Sequence, residues 1–247
     1  MHRRIAMTLT TLALSLAAST AQAQNMQLTP TIALGTLDQA AADPAFETKT
    51  LAEVQALRAG AAPGETSFLL RKDRGPHVGR YAVFVTSPGA GRTAAYARTF
   101  PKVVQYSLIG ASQVGALPTV DVLGVHYIKV KPGQGAAFEK FTTDKMNAAV
   151  ANLRPDLRFL NYKGTDGSYF TIIALTKSSR DKYWPNGADS DVLKEAFTPA
   201  IRALASELQP FLVEGSWGVN MVAQVYEAKD WSDWIVVAAP APATGRF

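Results

Sequence analysis

A change of hydrophobic period inside "VHYIKVKPGQGAAFEKF", Val125 to Phe141, restricts the fold of this chain more than any other feature. Upstream of the break, Val125, Tyr127, Lys129 and Lys131 alternate with His126, Ile128 and Val130, the period-two signature of a strand with two different faces. Pro132-Gly133 ends that pattern. Beyond Gly135 the positions Phe138, Phe141 or Thr142, Met146, Ala149 and Leu153 follow helical spacing as far as the break at Arg154-Pro155. A strand that hands over to a helix through a tight turn returns the helix across the strand it has just left, so one face of that strand is covered.

The next segments continue the logic. Leu157–Lys163 and Tyr169–Lys177 are β-rich runs joined by Gly164-Thr165-Asp166-Gly167, whose glycines supply the positive φ angles that hairpin turns need. Leu193, Phe197, Ile201, Leu204 and Leu208 then form one apolar helical stripe, with Asp189 or Ser190 placed to cap it and Pro199 placed to kink or restart it near Thr198. Gly215–Tyr226 reads as the last strand. The order over residues 121–227 is therefore β-α-β-β-α-β, a ferredoxin-like α+β unit with an antiparallel sheet and both helices on one face.

Residues 30–115 read as a weaker copy. Thr31–Leu37, Thr66–Arg71, Arg80–Ser87 and Val103–Leu108 are strand candidates; Leu51–Arg58 and Thr93–Phe100 are helix candidates. "GRYAVFV" at 79–85 also echoes "GSYFTII" at 167–173. The expected organisation is a signal peptide over 1–23, a degenerate ferredoxin-like half over 24–115, a clearer half over 116–230, and a flexible C-terminal tail over 231–247 that ends in alternating Ala and Pro.

The signal peptide rests on His2, Arg3 and Arg4, an apolar run from Ile5 to Ala18, and Ala21-Gln22-Ala23 before the cut. The expected location is periplasmic or secreted, with cleavage near Ala23. The run is shorter than the ~20 apolar residues that cross a bilayer, so no membrane span is expected in the mature chain. Cleavage removes Arg3 and Arg4 from 25 basic residues, leaving 23 against 20 acids, a net charge of +3. So slight an excess points away from nucleic acid. The chain has no cysteine, which excludes thiolate catalysis, Fe–S clusters and cysteine zinc sites; His77 and His126 are the only imidazoles after cleavage. Their spacing matches no metal motif, so no metal site is expected, and no nucleophile elbow, P-loop or dinucleotide fingerprint is present.

"IKVKPGQGAAFEKF" at 128–141 and "GSYFTIIALTKSSRDKYW" at 167–184 resemble the dimeric α/β-barrel superfamily, which includes the antibiotic-biosynthesis-monooxygenase-like domains. The resemblance implies tandem ferredoxin-like units that set their sheets together, here as an intramolecular dimeric α/β barrel. It also implies a small-molecule ligand, in some members haem, held between sheet and helices or within the barrel. The chain departs from the family pattern where Thr176 replaces a Trp at the end of the third strand, and no histidine follows His126.

From the residues, His126 is the candidate general base or axial haem ligand, set against a half-buried structural histidine that bonds a neighbour. Its face is left open by the sequence: Ile128 and Val130, which share its parity, read as helix-covered, and Tyr127 and Lys129 would then point into the barrel. Ser216, Asn220 and Gln224 form a polar row on the expected last strand; with Tyr127, Lys129, Tyr169 and Thr171 they make the candidate ligand-binding set, set against a simply solvated face. Three functions follow: an exported binder of an apolar or aromatic molecule; a cofactor-independent monooxygenase or haem-dependent enzyme using His126 with Tyr127 or Asn220; or a non-catalytic envelope protein that docks a partner on an open sheet edge.

Overall fold

A computed structural model describes residues 26–37, 43–74, 78–88, 93–100, 102–112, 115–151, 158–183, 199–213 and 231–237. The N-terminal unit contains β2 (Thr31–Thr36), α1 (Pro44–Ala59), β3 (Thr66–Arg74), β4 (Tyr81–Ser87), α2 (Thr93–Thr99) and β5 (Val103–Ala111). The C-terminal unit contains β7 (Val122–Ile128), α3 (Gly135–Phe141), a π-helical turn (Thr142–Met146), α4 (Asn147–Ala151), β8 (Arg158–Gly164), β9 (Tyr169–Leu175), α5 (Lys177–Tyr183), α6 (Pro199–Leu208) and β10 (Trp231–Val236). A two-stranded patch, β1 (Met26–Gln27) on β6 (Thr119–Val120), lies outside both units.

All eight strands of the two units close into one antiparallel barrel in the order β10-β3-β4-β2-β5-β8-β9-β7. Each unit keeps the ferredoxin-like strand order internally, and the two meet where β5 pairs β8 and where β10 pairs β3. The chain is thus two ferredoxin-like units joined as an intramolecular barrel. Since β10 pairs both β3 and β7, the main sheet has no free edge, and the docking reading that relied on one is withdrawn.

The strand expected at Gly215–Tyr226 lies outside the described residues, and the eighth place in the barrel belongs to Trp231–Val236. That corrects the assignment of 231–236 to a flexible tail. Trp234, only 1% exposed, joins the barrel interior and holds the segment there. Helix α1 also begins two turns earlier than its apolar spacing indicates, because Asp43 accepts hydrogen bonds from the Ala45 and Phe46 amides and Pro44 occupies the first helical turn. Gly133 and Gly167 sit at φ of 78° and 81°, as the two turns require.

Alternate residues of every strand point inward. Ile32, Leu34, Phe68, Leu70, Phe84, Tyr106, Leu123, Val125, Leu160, Tyr162, Phe170, Ile172 and Trp234 pack into one cluster, joined by Met26, Leu28 and Val120 from the small patch. These side chains fill the space that the eight strands enclose. The interior is therefore a core, which moves any ligand site to the outer, helix-covered face.

An ion cluster centred on one buried arginine ties the units at the β3–β10 seam. Arg180 of α5, 7% exposed, donates to Asp73 at 2.7 Å and to Asp181 at 3.1 Å, and Arg74 donates to Asp181 at 2.9 Å. Asp73 and Arg74, at the end of β3, thus join the two units, and His77 lies outside the described residues. Next to this seam, the Lys72 ammonium stands 5.0 Å from the Trp234 ring centre. Burial, and then the positive charge of Arg80, push its pKa down to about 8. Trace acetylation across a pH series should therefore show Lys72 gaining reactivity around pH 8, while Lys140, held above the ordinary lysine value by Asp144, stays protonated. A Lys72 midpoint above pH 10 would contradict this.

Candidate functional site

The outer face of the N-terminal unit carries Ala33, Leu69, Tyr81, Val83 and Val85 beneath Leu51 and Val54 of α1 and Tyr96 of α2. At one end of this layer the helices leave a cleft of about 320 Å³, lined by Gly35, Thr36, Leu37, Phe46, Lys49, Thr50, Glu53, Thr99, Phe100 and Lys102. Gly35 makes the floor possible. A Cβ there would come within 2.6 Å of the Val103 side chain and 2.9 Å of its backbone, so only glycine lets β5 cross so near. The walls are Leu37, Phe46 and Phe100; threonine hydroxyls and two lysines supply polar groups around them. Lys49 also pairs with Glu53 at 3.9 Å.

Phe46 is held in place from behind. The next residue, Glu47, accepts from the Tyr81 hydroxyl at 2.9 Å and from Arg71 at 3.1 Å, and the Phe46 and Tyr81 rings lie 5.2 Å apart. The same arrangement recurs in the other unit: Glu139 accepts from Tyr169 at 2.7 Å and pairs with Lys163 at 2.7 Å, and the Phe138 and Tyr169 rings lie 5.0 Å apart. Each trio pins the start of a helix to the strand below it. Sequence reading missed both, although the tripeptide Ala-Phe-Glu stands at 45–47 and again at 137–139, and each copy precedes a Gly-x-Tyr strand.

Burial raises the Glu139 pKa, but the hydrogen bonds from Lys163 and Tyr169 and the Lys163 charge outweigh it, leaving the carboxyl below its ordinary 4.5. A carboxylate depressed in the folded state adds stability above its unfolded pKa and loses it as pH falls through the folded value. Glu139→Gln should thus destabilise the protein at pH 7 and make its stability less sensitive to acid below about pH 4.5. Parallel acid titrations of wild type and variant would contradict the assignment.

The residues expected to form the ligand set do not converge. Tyr127 lies opposite Phe170 and packs against it inside the barrel, with ring centres 6.3 Å apart. Tyr169 and Thr171 point the other way, under α3 and α4, and Lys129 is exposed beyond the end of β7. Grouping Tyr127 with Tyr169 and Thr171 on one face therefore fails on strand parity. Ser216, Asn220 and Gln224 lie outside the described residues.

His126 is on the helix-covered face and is 2% exposed. It sits opposite Thr171 on β9. From there a buried polar chain runs outward: Thr171 donates to the Asn161 carbonyl at 2.6 Å, and the Asn161 amide donates to Asn147 at 3.0 Å. The π-helical turn sets Thr142, Met146 and Asn147 all inward, and Asn147 reaches Asn161 across Gly110, where a Cβ would overlap its amide nitrogen. Burial pushes the imidazole pKa down to about 3, so the ring is neutral at physiological pH. Among the described residues no group of histidines and carboxylates has the makings of a metal site, and no helix is long and apolar enough to cross a membrane.

Two ferredoxin-like units closed into one barrel, with helices on the outside, define the chain as an intramolecular α/β barrel. Solved structures of similar form include an anthrone oxidase-like protein, at 13% identity and a TM-score of 0.47, covering 87% of this chain and 95% of the other. A ferredoxin-fold protein from Listeria monocytogenes related to antibiotic biosynthesis monooxygenases is 13% identical, with a TM-score of 0.43 and coverage of 87% and 96%. A heme-degrading enzyme from the same organism is 14% identical, with a TM-score of 0.37 and coverage of 67% and 85%. The likeness is one of fold. No protein-family model and no curated protein matches the chain.

Proposed function

We propose that the mature chain is exported and binds one small, mostly apolar molecule in the cleft between α1, α2 and the end of β2. The observation that carries this reading is the cleft itself. Its volume of about 320 Å³ lies at the lower end of small-molecule sites, and its exposed lining is mostly apolar, with threonine hydroxyls, Lys49, Lys102 and Glu53 as the polar groups. The packed barrel interior supports an outer-face site over one inside the barrel. Export rests on the N-terminal pattern, and Gln24 as the first residue of protein recovered from the periplasm or medium tests it.

The enzymatic alternatives through His126 draw support from the names of similar folds and little from this geometry. The imidazole belongs to the opposite unit from the cleft and is buried there, 2% exposed. A catalytic base there meets no ligand held between α1 and α2.

The cleft is tested by titration with 8-anilino-1-naphthalenesulfonate, an apolar dye with one anionic group. Saturable fluorescence at one dye per chain is expected. Thr99→Trp, an exposed rim position at the end of α2, should weaken it about tenfold or more, whereas Thr143→Trp, equally exposed on the other unit, should not. Equal binding by the two variants would place the dye elsewhere.

A further inference from the structure

The two units can be superposed residue by residue from their pairing alone. Strands β4 and β9 both open on a tyrosine, Tyr81 and Tyr169. Gly35 lies opposite Val83, two residues past the first tyrosine, and His126 lies opposite Thr171, two past the second. On their other sides Gly35 faces Val103, the first residue of β5, and His126 faces Trp231, the first residue of β10. His126 is therefore the counterpart of the glycine that floors the cleft.

The helices agree. With Phe46 and Glu47 matched to Phe138 and Glu139 by their tyrosine contacts, the buried threonines Thr50 and Thr142 coincide, at 3% and 2% exposed. Lys49, on the cleft wall, then matches Phe141, which is buried and packs against Phe211 with ring centres 5.6 Å apart. One unit has a missing side chain and an outward lysine where the other has an imidazole and an inward phenyl ring. The backbone plan is shared, and side chains decide which copy is open.

We infer that His126 acts as an internal ligand: the C-terminal unit holds a second site of the same kind as the cleft, for a flat heteroaromatic ring, kept shut by its own imidazole. This inference rests on reading the N-terminal cleft as a binding site. The vacated place would be bounded by Gly124 and Ile128, which flank His126 on its own face of β7, and by Thr171 on β9, whose hydroxyl gives it one polar edge. A ring bound there is uncharged, in keeping with the neutral imidazole that fills it now.

The test is His126→Gly, with free imidazole at pH 7.5 as the probe and His126→Ala as the second variant. Imidazole at millimolar concentration should raise the melting temperature of His126→Gly by about 2–6 °C and leave wild type unchanged. A variant that folds only when imidazole is present supports the inference equally. Folded variants without an imidazole response overturn it, as do variants that fail to fold even with imidazole, since an opened site of this kind would be filled and the fold restored. Failure of the cleft reading shows separately, as absence of dye binding by wild type.

Discussion

Replacing Trp234 with alanine is expected to lower the unfolding free energy by about 3–5 kcal/mol, the usual cost of deleting a large buried aromatic side chain. Trp234 is 1% exposed inside the barrel, on the strand that closes it. Its backbone lies between Lys72 of β3 and Leu123 of β7, so it stands at the seam of the two units, and the Lys72 ammonium over its ring would lose that partner as well. The surrounding strands are fixed by their ladders and cannot collapse fully into the space. Urea unfolding would read the loss as a lower midpoint. A change under about 1 kcal/mol would contradict the assignment of Trp231–Val236 to the eighth strand, because surface substitutions stay within that range.

Asn161→Ala is expected to cost about 2–5 kcal/mol, because it leaves two other buried polar groups without their partner. The Asn161 side chain, 7% exposed, accepts from Thr171 and donates to Asn147, so its removal strands a hydroxyl on β9 and an amide oxygen at the start of α4. Thr171→Val removes only the donor of the first bond and should cost about 1–3 kcal/mol. The double variant should cost less than the sum of the two, since both act on one shared hydrogen bond. Additive losses would mean that the two side chains act independently.

The parts of the fold that were legible in the sequence are those set by local chemistry. Pro132-Gly133 marks the hand-over from strand to helix because it breaks a strict alternation, and Gly164-Thr165-Asp166-Gly167 marks a hairpin because its glycines permit the turn. The alternation alone left the face of His126 open, and its pairing opposite Thr171 decides it. Trp231–Val236 was not legible as a strand: it is short, borders the Ala-Pro tail, and is held by β3 and β7, partners more than a hundred residues away. The longer alternating run at 215–226 was the stronger local signal.

The candidate site was less legible for a different reason. A cleft is defined by what is absent, and at Gly35 the signal is a missing side chain whose meaning depends on Val103 crossing beside it. Polar residues drew attention to β7 and β9 instead, where Tyr127 turned out to fill the barrel and Thr171 to satisfy Asn161. The repeated Ala-Phe-Glu was readable from the start. Its use became clear only once the Tyr81 and Tyr169 hydroxyls were seen to meet the two glutamates.

The most direct measurement is a crystal structure of the protein soaked with 8-anilino-1-naphthalenesulfonate. One dye molecule per chain is expected, its rings between Phe46 and Phe100 over Gly35, with the barrel interior unchanged. Dye found inside the barrel, or a cleft closed by α2 and devoid of dye, would contradict it.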